Sequence, residues 1–249
     1  VNAQSARPSA ESGILPSFDD QREYWDERWS RTPTPNGWSI RRGETIIAWL
    51  RALELENPRI LDYGCGTGWF TAELAKVGTA VGIDLSEAAI AAARRRYPGA
   101  TFVAANLFEL DAPQNTFDIV VSQEVIAHVT DQRDYIERIT RMLKPNGFLV
   151  LTTANKVVMD RLVHPPDPPA HIKRWTGWRE IQHLLQHRYR VLKRTTVVPR
   201  GNRGFLRIVN SAKLNVALEL IFSPPQIERF KERAGWGYTL LVLAQLIRP

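Results

Sequence analysis

The chain has 249 residues, 24% of them charged and 44% hydrophobic, with a formal net charge of +7 and an isoelectric point near 9.8. That composition excludes a disordered chain, which lacks the apolar material to offset ordering entropy, and it suits one large core or two small ones. One cysteine cannot form an intrachain disulfide, and no run approaches the roughly 20 apolar residues that span a bilayer. With no signal-peptide pattern in view, the expectation is a cytoplasmic protein with no membrane span. Residues 156–249 hold 17 Lys and Arg against 6 Asp and Glu, whereas residues 1–155 hold 16 against 20. Such a basic final third suits an acidic partner, substrate or surface, or simply a solvated face that aids solubility.

The first 17 residues are small, polar and proline-containing, and are expected to form a flexible tail. FDDQREYWDERWSR follows, with Phe18, Tyr24, Trp25 and Trp29 placed to share one side of a short helix. Two prolines and an Asn-Gly pair in RTPTPNGW break the pattern. GETIIAWLRALELE then sets Ile46, Ile47, Leu50 and Leu53 at helical spacing. Residues 18–57 are therefore expected to form an N-terminal helical cap.

From Arg59 onward, short apolar runs alternate with helical stretches. RILDY, AVGID, ATFVAA, DIVVSQ and FLVLTT are five candidate buried strands, separated by GWFTAELAKVG, SEAAIAAARRRYPG and DQRDYIERITRMLKPNG. Ser86 suits an N-cap, and Gly78 and Gly147 suit stops. This alternation predicts an α/β fold built from βαβ units, with a parallel sheet covered on both faces. Beyond Asn155 come the proline-rich loop HPPDPPAH, a helix in WTGWREIQHLLQHR and a strand in YRVLKRTTVVP. The apolar stretch FLRIVNSAKLNVALELIF precedes SPPQIERFKERAGWG and a last strand-like run, YTLLVLAQL.

The informative segment is ILDYGCGTGWF, which puts Gly64, Gly66 and Gly68 between a strand and a helix. Glycines there allow a tight turn and let a ligand lie against the main chain without meeting a Cβ. In open α/β sheets, nucleotide-like ligands bind at this turn. Asp84 ends the next strand 20 residues after Gly64, a distance at which a carboxylate can accept from ribose hydroxyls. The spacing is G-x-G-x-G rather than the dinucleotide G-x-G-x-x-G, and Asp62 stands two residues ahead of the first glycine. A carboxylate beside the loop repels pyrophosphate but suits a ligand with a positive amino group.

Asp62, the three glycines and Asp84 together resemble the motifs of the class I S-adenosylmethionine-dependent methyltransferases. The resemblance extends from about Tyr24 to Leu246. It implies a Rossmann-like, doubly wound, mostly parallel seven-stranded sheet over residues 58–249. An N-terminal helical cap and a lid insertion over residues 199–235, before the last strand, complete the expected architecture. By resemblance, DYGCGTG, including Cys65, cradles the methionine part of S-adenosyl-L-methionine, and Asp84 binds its ribose. Leu85 then lies near the adenine. Asn106, followed by Leu107, falls where the family usually has an aspartate that contacts the adenine amino group. Gln123 in SQEVIAHV touches the cofactor through its backbone, and Tyr24 belongs to a helix that caps it.

Direct displacement of a methyl group depends mainly on alignment, but a hydroxyl acceptor must also lose a proton. His128, after the fourth strand, and His171, closing the HPPDPPAH loop, are the candidate bases. His183 and His187, spaced i, i+4, have no nearby carboxylate or cysteine pattern and are expected on the surface rather than at a metal. SQEV stands where exocyclic-amine methyltransferases of DNA carry N/D-P-P-Y/F, which disfavours that chemistry. Relatives of the ubiquinone O-methyltransferase type, the nearest in architecture, share a Glu-His pair in this helix. This chain has Glu124 and His128, but Ala127 replaces a second glutamate, so no metal is expected.

Phe205, Ile208, Val209, Ala212 and Val216 fall on one helical stripe, widened by Leu218, Ile221 and Phe222. Core packing or a homodimer contact through residues 205–222 is the expected cover. Arg200, Arg203 and Arg207 lead into it, which suits an acceptor with an apolar body and an anionic group. The expected function is O-methylation of such a small metabolite in a biosynthetic pathway. N-methylation of a small molecule, or methylation of RNA through the basic final third, is the alternative, and a nucleic-acid partner is disfavoured because no RNA-binding module is recognisable.

Overall fold

A computed structural model of the protein describes residues 16–31, 34–106, 108, 114–162 and 172–247. Seven strands form one sheet: β1 (Arg59–Tyr63), β2 (Thr79–Asp84), β3 (Thr101–Ala104), β4 (Phe117–Gln123), β5 (Leu143–Ala154), β6 (Tyr189–Pro199) and β7 (Gly237–Leu246). Their order is β3-β2-β1-β4-β5-β7-β6. Strands β1 to β5 pair in parallel, and β7 runs antiparallel between β5 and β6. The chain moves outward from β1 to β3 and then returns to place β4 on the other side of β1. This reversal opens a crevice at the carboxyl ends of β1 and β4, where ligands bind in doubly wound sheets.

The strands are apolar on both faces because helices cover both. On one face Leu61, Tyr63, Val120, Leu149 and Val242 pack with α5 (Gln132–Met142) and α7 (Trp178–Leu185) through Tyr135, Ile139, Ile181 and Leu185. On the other, Ile60, Ile119, Val121, Val150 and Leu241 meet Ile46 and Leu50 of α2 (Gly37–Arg51) and Phe70 and Leu74 of α3 (Trp69–Leu74). A smaller cluster joins Ile90 and Ala93 of α4 (Glu87–Arg96) to Phe102 and Cys65. The stretch expected as a cap therefore divides. Helix α1 (Phe18–Arg31) has no buried residue, whereas α2 belongs to the packing of the sheet.

Several boundaries differ from the sequence reading for local physical reasons. RTPTPNGW separates α1 from α2 as expected, but α2 begins already at Gly37, because Asn36 Oδ1 accepts from the amides of Trp38 at 3.1 Å and Ser39 at 2.9 Å. Strand β5 begins at Leu143, ahead of FLVLTT. Its pairing slips between Phe117↔Leu143 and Ile119↔Phe148, and Asn146 takes φ +64° inside the resulting bulge. The expected single stripe at 205–222 is two short helices, α8 (Gly204–Val209) and α9 (Ala212–Glu219), with Ser211 capping the second. Only Leu206, outside the stripe, is buried; Ile208, Val216 and Ile221 are 66%, 63% and 77% exposed. Core packing does not cover that stripe. Helix α6 (Lys156–Met159) and helix α10 (Pro224–Arg233), capped by Ser223 and Gln226, complete the fold. Among the described residues, no helix is long and apolar enough to cross a membrane.

The turn into α3 requires glycine at position 68. Gly68 has φ +79°, and a Cβ there would stand 2.7 Å from Ala93 Cβ and 2.6 Å from the Phe102 ring. Gly68→Ala should destabilise the protein by roughly 2–5 kcal/mol in urea unfolding, since backbone strain and overpacking act together.

Candidate functional site

The crevice beside β1 and β4 holds a cavity of about 440 Å³. Its floor is the glycine turn, and its walls come from the ends of β2 and β4, the start of β7, and helices α1 and α2. Gly64 and Cys65 donate their amides to Ile83 O at 2.8 and 2.9 Å, and Gly66 donates to Asp84 Oδ2 at 2.7 Å. The turn after β1 is thereby tied to the end of β2. Gly66 takes φ +52°, and a Cβ on it would stand 2.6 Å from the Trp29 indole of α1. Only a bare main chain leaves room there.

Two buried carboxylates define one end of the cavity. Asp62 is 1% exposed; its Oδ2 accepts from Thr71 Oγ1 at 2.7 Å, while Oδ1 is buried with no hydrogen-bond partner among the described residues. Burial pushes the Asp62 carboxyl up to about 7; the nearby Asp84 charge adds to this, and the Thr71 bond and Arg42 oppose it. Asp84 Oδ1 accepts from the Ser86 amide at 3.0 Å. Burial raises its carboxyl too, against the pull of the Ser86 and Gly66 amides.

Most residues singled out from the sequence converge here. Tyr24, Asp62, Gly64, Cys65, Gly66, Asp84, Leu85, Asn106, Gln123 and His128 all line the cavity. The Cys65 side chain packs into the cluster below α4, so this residue offers the cavity mainly its backbone. Gly68 stands behind the turn against Ala93 and Phe102, and does not line the cavity. Asn106 Oδ1 accepts from the Phe108 amide at 3.0 Å. The side chain of Gln123 is turned to Arg42, accepting from Nε at 2.7 Å. Leu107 and His171 lie outside the described residues.

His128 ends a short 3-10 turn (Ile126–His128). Its Nδ1 lies 2.9 Å from Ile172 O. A carbonyl can only accept, so the proton of the neutral ring sits on Nδ1 and the lone pair on Nε2. Trp25 packs edge-on against the imidazole at 5.0 Å, and Trp175 at 6.3 Å.

Sequence reading passed over Arg42, Trp38 and Tyr238, which come from distant parts of the chain. Arg42 projects from α2 into the cavity, with Nη1 3.4 Å from Glu124 Oε1. Glu124 follows β4 with φ +60°, held by its amide to Thr152 O at 3.1 Å and by Thr152 Oγ1 donating to Oε1 at 3.0 Å. Trp38 packs on Tyr238 at 5.6 Å, and the Arg200 guanidinium stacks 3.9 Å above Trp38. The signal available in the sequence was an arginine and an aromatic in the helix before β1, but helical periodicity alone assigns them no partner. Among the described residues, no three His, Cys, Asp or Glu side chains are grouped to hold a metal ion.

Asp62 has a consequence for stability. Its folded carboxyl is raised above the unfolded value of 3.8, so the folded state binds this proton more tightly than the unfolded chain. The stabilisation is full below about pH 4 and is lost as pH rises to about 7, on the order of 4 kcal/mol in all. Asp62→Asn should remove that part of the pH slope, leaving the ligand-free variant more stable than the parent at pH 8. Thermal melts between pH 4 and 8 would measure it, and parallel slopes would contradict it.

The profile of a family described as a methyltransferase domain matches residues 61–151. The ubiquinone biosynthesis O-methyltransferase of Bradyrhizobium diazoefficiens is 33% identical over 147 residues, covering 54% of this chain and 58% of that protein. The chain thus spans little more than half the length of the curated relatives it matches. Among solved structures, the N-methyltransferase NodS from Bradyrhizobium japonicum, in complex with S-adenosyl-L-homocysteine, superposes with a TM-score of 0.64 at 18% identity. That match covers 92% of this chain and 100% of NodS. The cyclase SpnF gives the same score and identity over 94% of this chain and 99% of its own, so this likeness speaks to fold alone. Residues 61–151 therefore form a methyltransferase domain, and in glycine motif and strand order the chain is similar to the S-adenosylmethionine-dependent methyltransferases.

Proposed function

We propose that the protein transfers a methyl group from S-adenosylmethionine to a hydroxyl of a small, partly apolar metabolite that carries an anionic group. The observation that carries this reading is Asp62 Oδ1, a buried carboxylate oxygen without a partner among the described residues, beside a glycine turn and a second buried carboxylate. A buried unpaired acceptor is costly, and a ligand ammonium removes the cost. The methionine part of the cofactor is a zwitterion. Asp62 suits its amino group, and Arg42, on the same cavity, suits its carboxylate. Asp84 retains lone pairs for ribose hydroxyls, and Leu85 and Asn106 flank the space for adenine. When bound, the cofactor supplies a methyl group on a sulfonium, which needs no activation by the protein.

What remains for this chain is to align the acceptor and take its proton. Trp25, Trp175, Trp38 and Tyr238 offer apolar walls, and Arg200 supplies a cation at Trp38. His128 Nε2 is the base in this reading, because the Ile172 carbonyl holds the imidazole with its lone pair on that nitrogen. The O-methyltransferase relative from Bradyrhizobium supports oxygen as the acceptor atom, while the NodS likeness keeps nitrogen as the alternative.

Calorimetry should show S-adenosylhomocysteine binding to the parent, and Asp84→Ala should weaken it at least thirtyfold; equal affinities would exclude the ribose role. Methyl-labelled cofactor incubated with a small-molecule extract should yield a labelled product whose mass identifies the acceptor. With that acceptor in hand, His128→Ala should lower kcat by about 100-fold or more, within the usual range for loss of a general base. An unchanged kcat removes His128 from the mechanism. If the label enters RNA instead, with binding that collapses as salt rises, the basic final third has the role of a phosphate-binding surface.

A further inference from the structure

Helix α1 forms one wall of the cavity although none of its residues is buried. Two of its ion pairs, Arg22 with Asp19 and Arg31 with Glu27, lie within the helix itself. Asp26 does otherwise. Its carboxylate accepts a hydrogen bond from the Ser86 hydroxyl and a second, at 3.3 Å, from the Ala88 amide. Ser86 is the N-cap of α4, where its Oγ accepts from the Ala89 amide at 3.0 Å. One hydroxyl therefore caps α4 and ties α1 to it, and the carboxylate lies at the positive end of that helix.

The position of this tie matters more than its strength. Ser86 also donates its amide to Asp84, the carboxylate assigned to the ribose, so the anchor point is part of the cofactor site. On either side of Asp26, Trp25 packs on His128 and Trp29 covers Gly66. A helix fixed at Asp26 thus sets an aromatic ring over the glycine turn and another against the candidate base. Its aromatic contacts with the cavity are made by half-buried side chains, so Asp26 gives the helix a directed polar tie to α4 beside them.

We propose that Asp26 is a positioning residue, a latch that holds α1 closed over the cavity through Ser86 and sets how long the cofactor stays bound. This rests on the cofactor reading above. The test uses S-adenosylhomocysteine as probe, with calorimetry and stopped-flow dissociation on the parent, Asp26→Ala and Asp26→Asn. Hydrogen exchange is followed in the ligand-free proteins. Asp26→Ala should raise Kd about tenfold, mainly through faster dissociation, and should speed exchange in residues 18–31 while the sheet keeps its protection and Tm stays within about 2 °C. Asn keeps an oxygen that accepts from Ser86 and Ala88, so Asp26→Asn should stay within about threefold of the parent. A Kd for Asp26→Ala within twofold of the parent overturns the latch, as does a loss of protection spread through the sheet. If the parent itself does not bind the probe, the cofactor reading fails. Exchange in the ligand-free proteins still reports whether Asp26 holds α1.

Discussion

The site depends on how the turn after β1 is joined to the end of β2. Three amides, from Gly64, Cys65 and Gly66, are spent on Ile83 O and Asp84. They bend the chain across the top of the sheet and bring Asp62 and Asp84 to the same cavity, although the two are 22 positions apart in sequence. Glycine is needed because the path runs through positive φ and passes directly under Trp29. The rest of the site, from Arg42 on one side to Asn106 on the other, is arranged around that knot.

The electrostatics of the cavity oppose folding and favour binding. Two carboxylates are buried close together, and Asp62 leaves one oxygen unpaired among the described residues. Arg42 offsets part of this from α2, but it also engages Gln123 and Glu124. Glu124 adds strain of its own, standing in the left-handed region where a non-glycine residue is uncommon. Stability given up at a cluster of this kind is what a preorganised binding site costs.

The basic, apolar final third acquires a location rather than a single purpose. Arg200 stacks on Trp38 at the cavity, which joins part of that charge to the candidate acceptor side. Arg41 of α2 pairs with the buried Glu232 of α10 at 3.3 Å, so α2 is also held to the segment before β7. Ile208 of α8 and Val216 of α9 are exposed, Leu206 is buried, and the break at Asn210 and Ser211 separates the two short helices.

Strand identity, the order of elements and the glycine turn with its two aspartates were legible in the sequence. Each rests on local chemistry: a run of residues apolar on both faces of a strand, a turn that only glycine permits, and a carboxylate at a strand's end. Helix α1 was legible for the same reason, since its aromatic spacing is a local pattern. Which side chains share the cavity was decided by the tertiary structure. Arg42, Trp38, Trp175, Tyr238 and Arg200 are brought together by strand order and by the antiparallel insertion of β7, and no spacing along the chain encodes those meetings. The same holds for the protonation of Asp62. Its residue type was visible from the start, but the burial that raises its carboxyl to about 7 exists only in the folded chain.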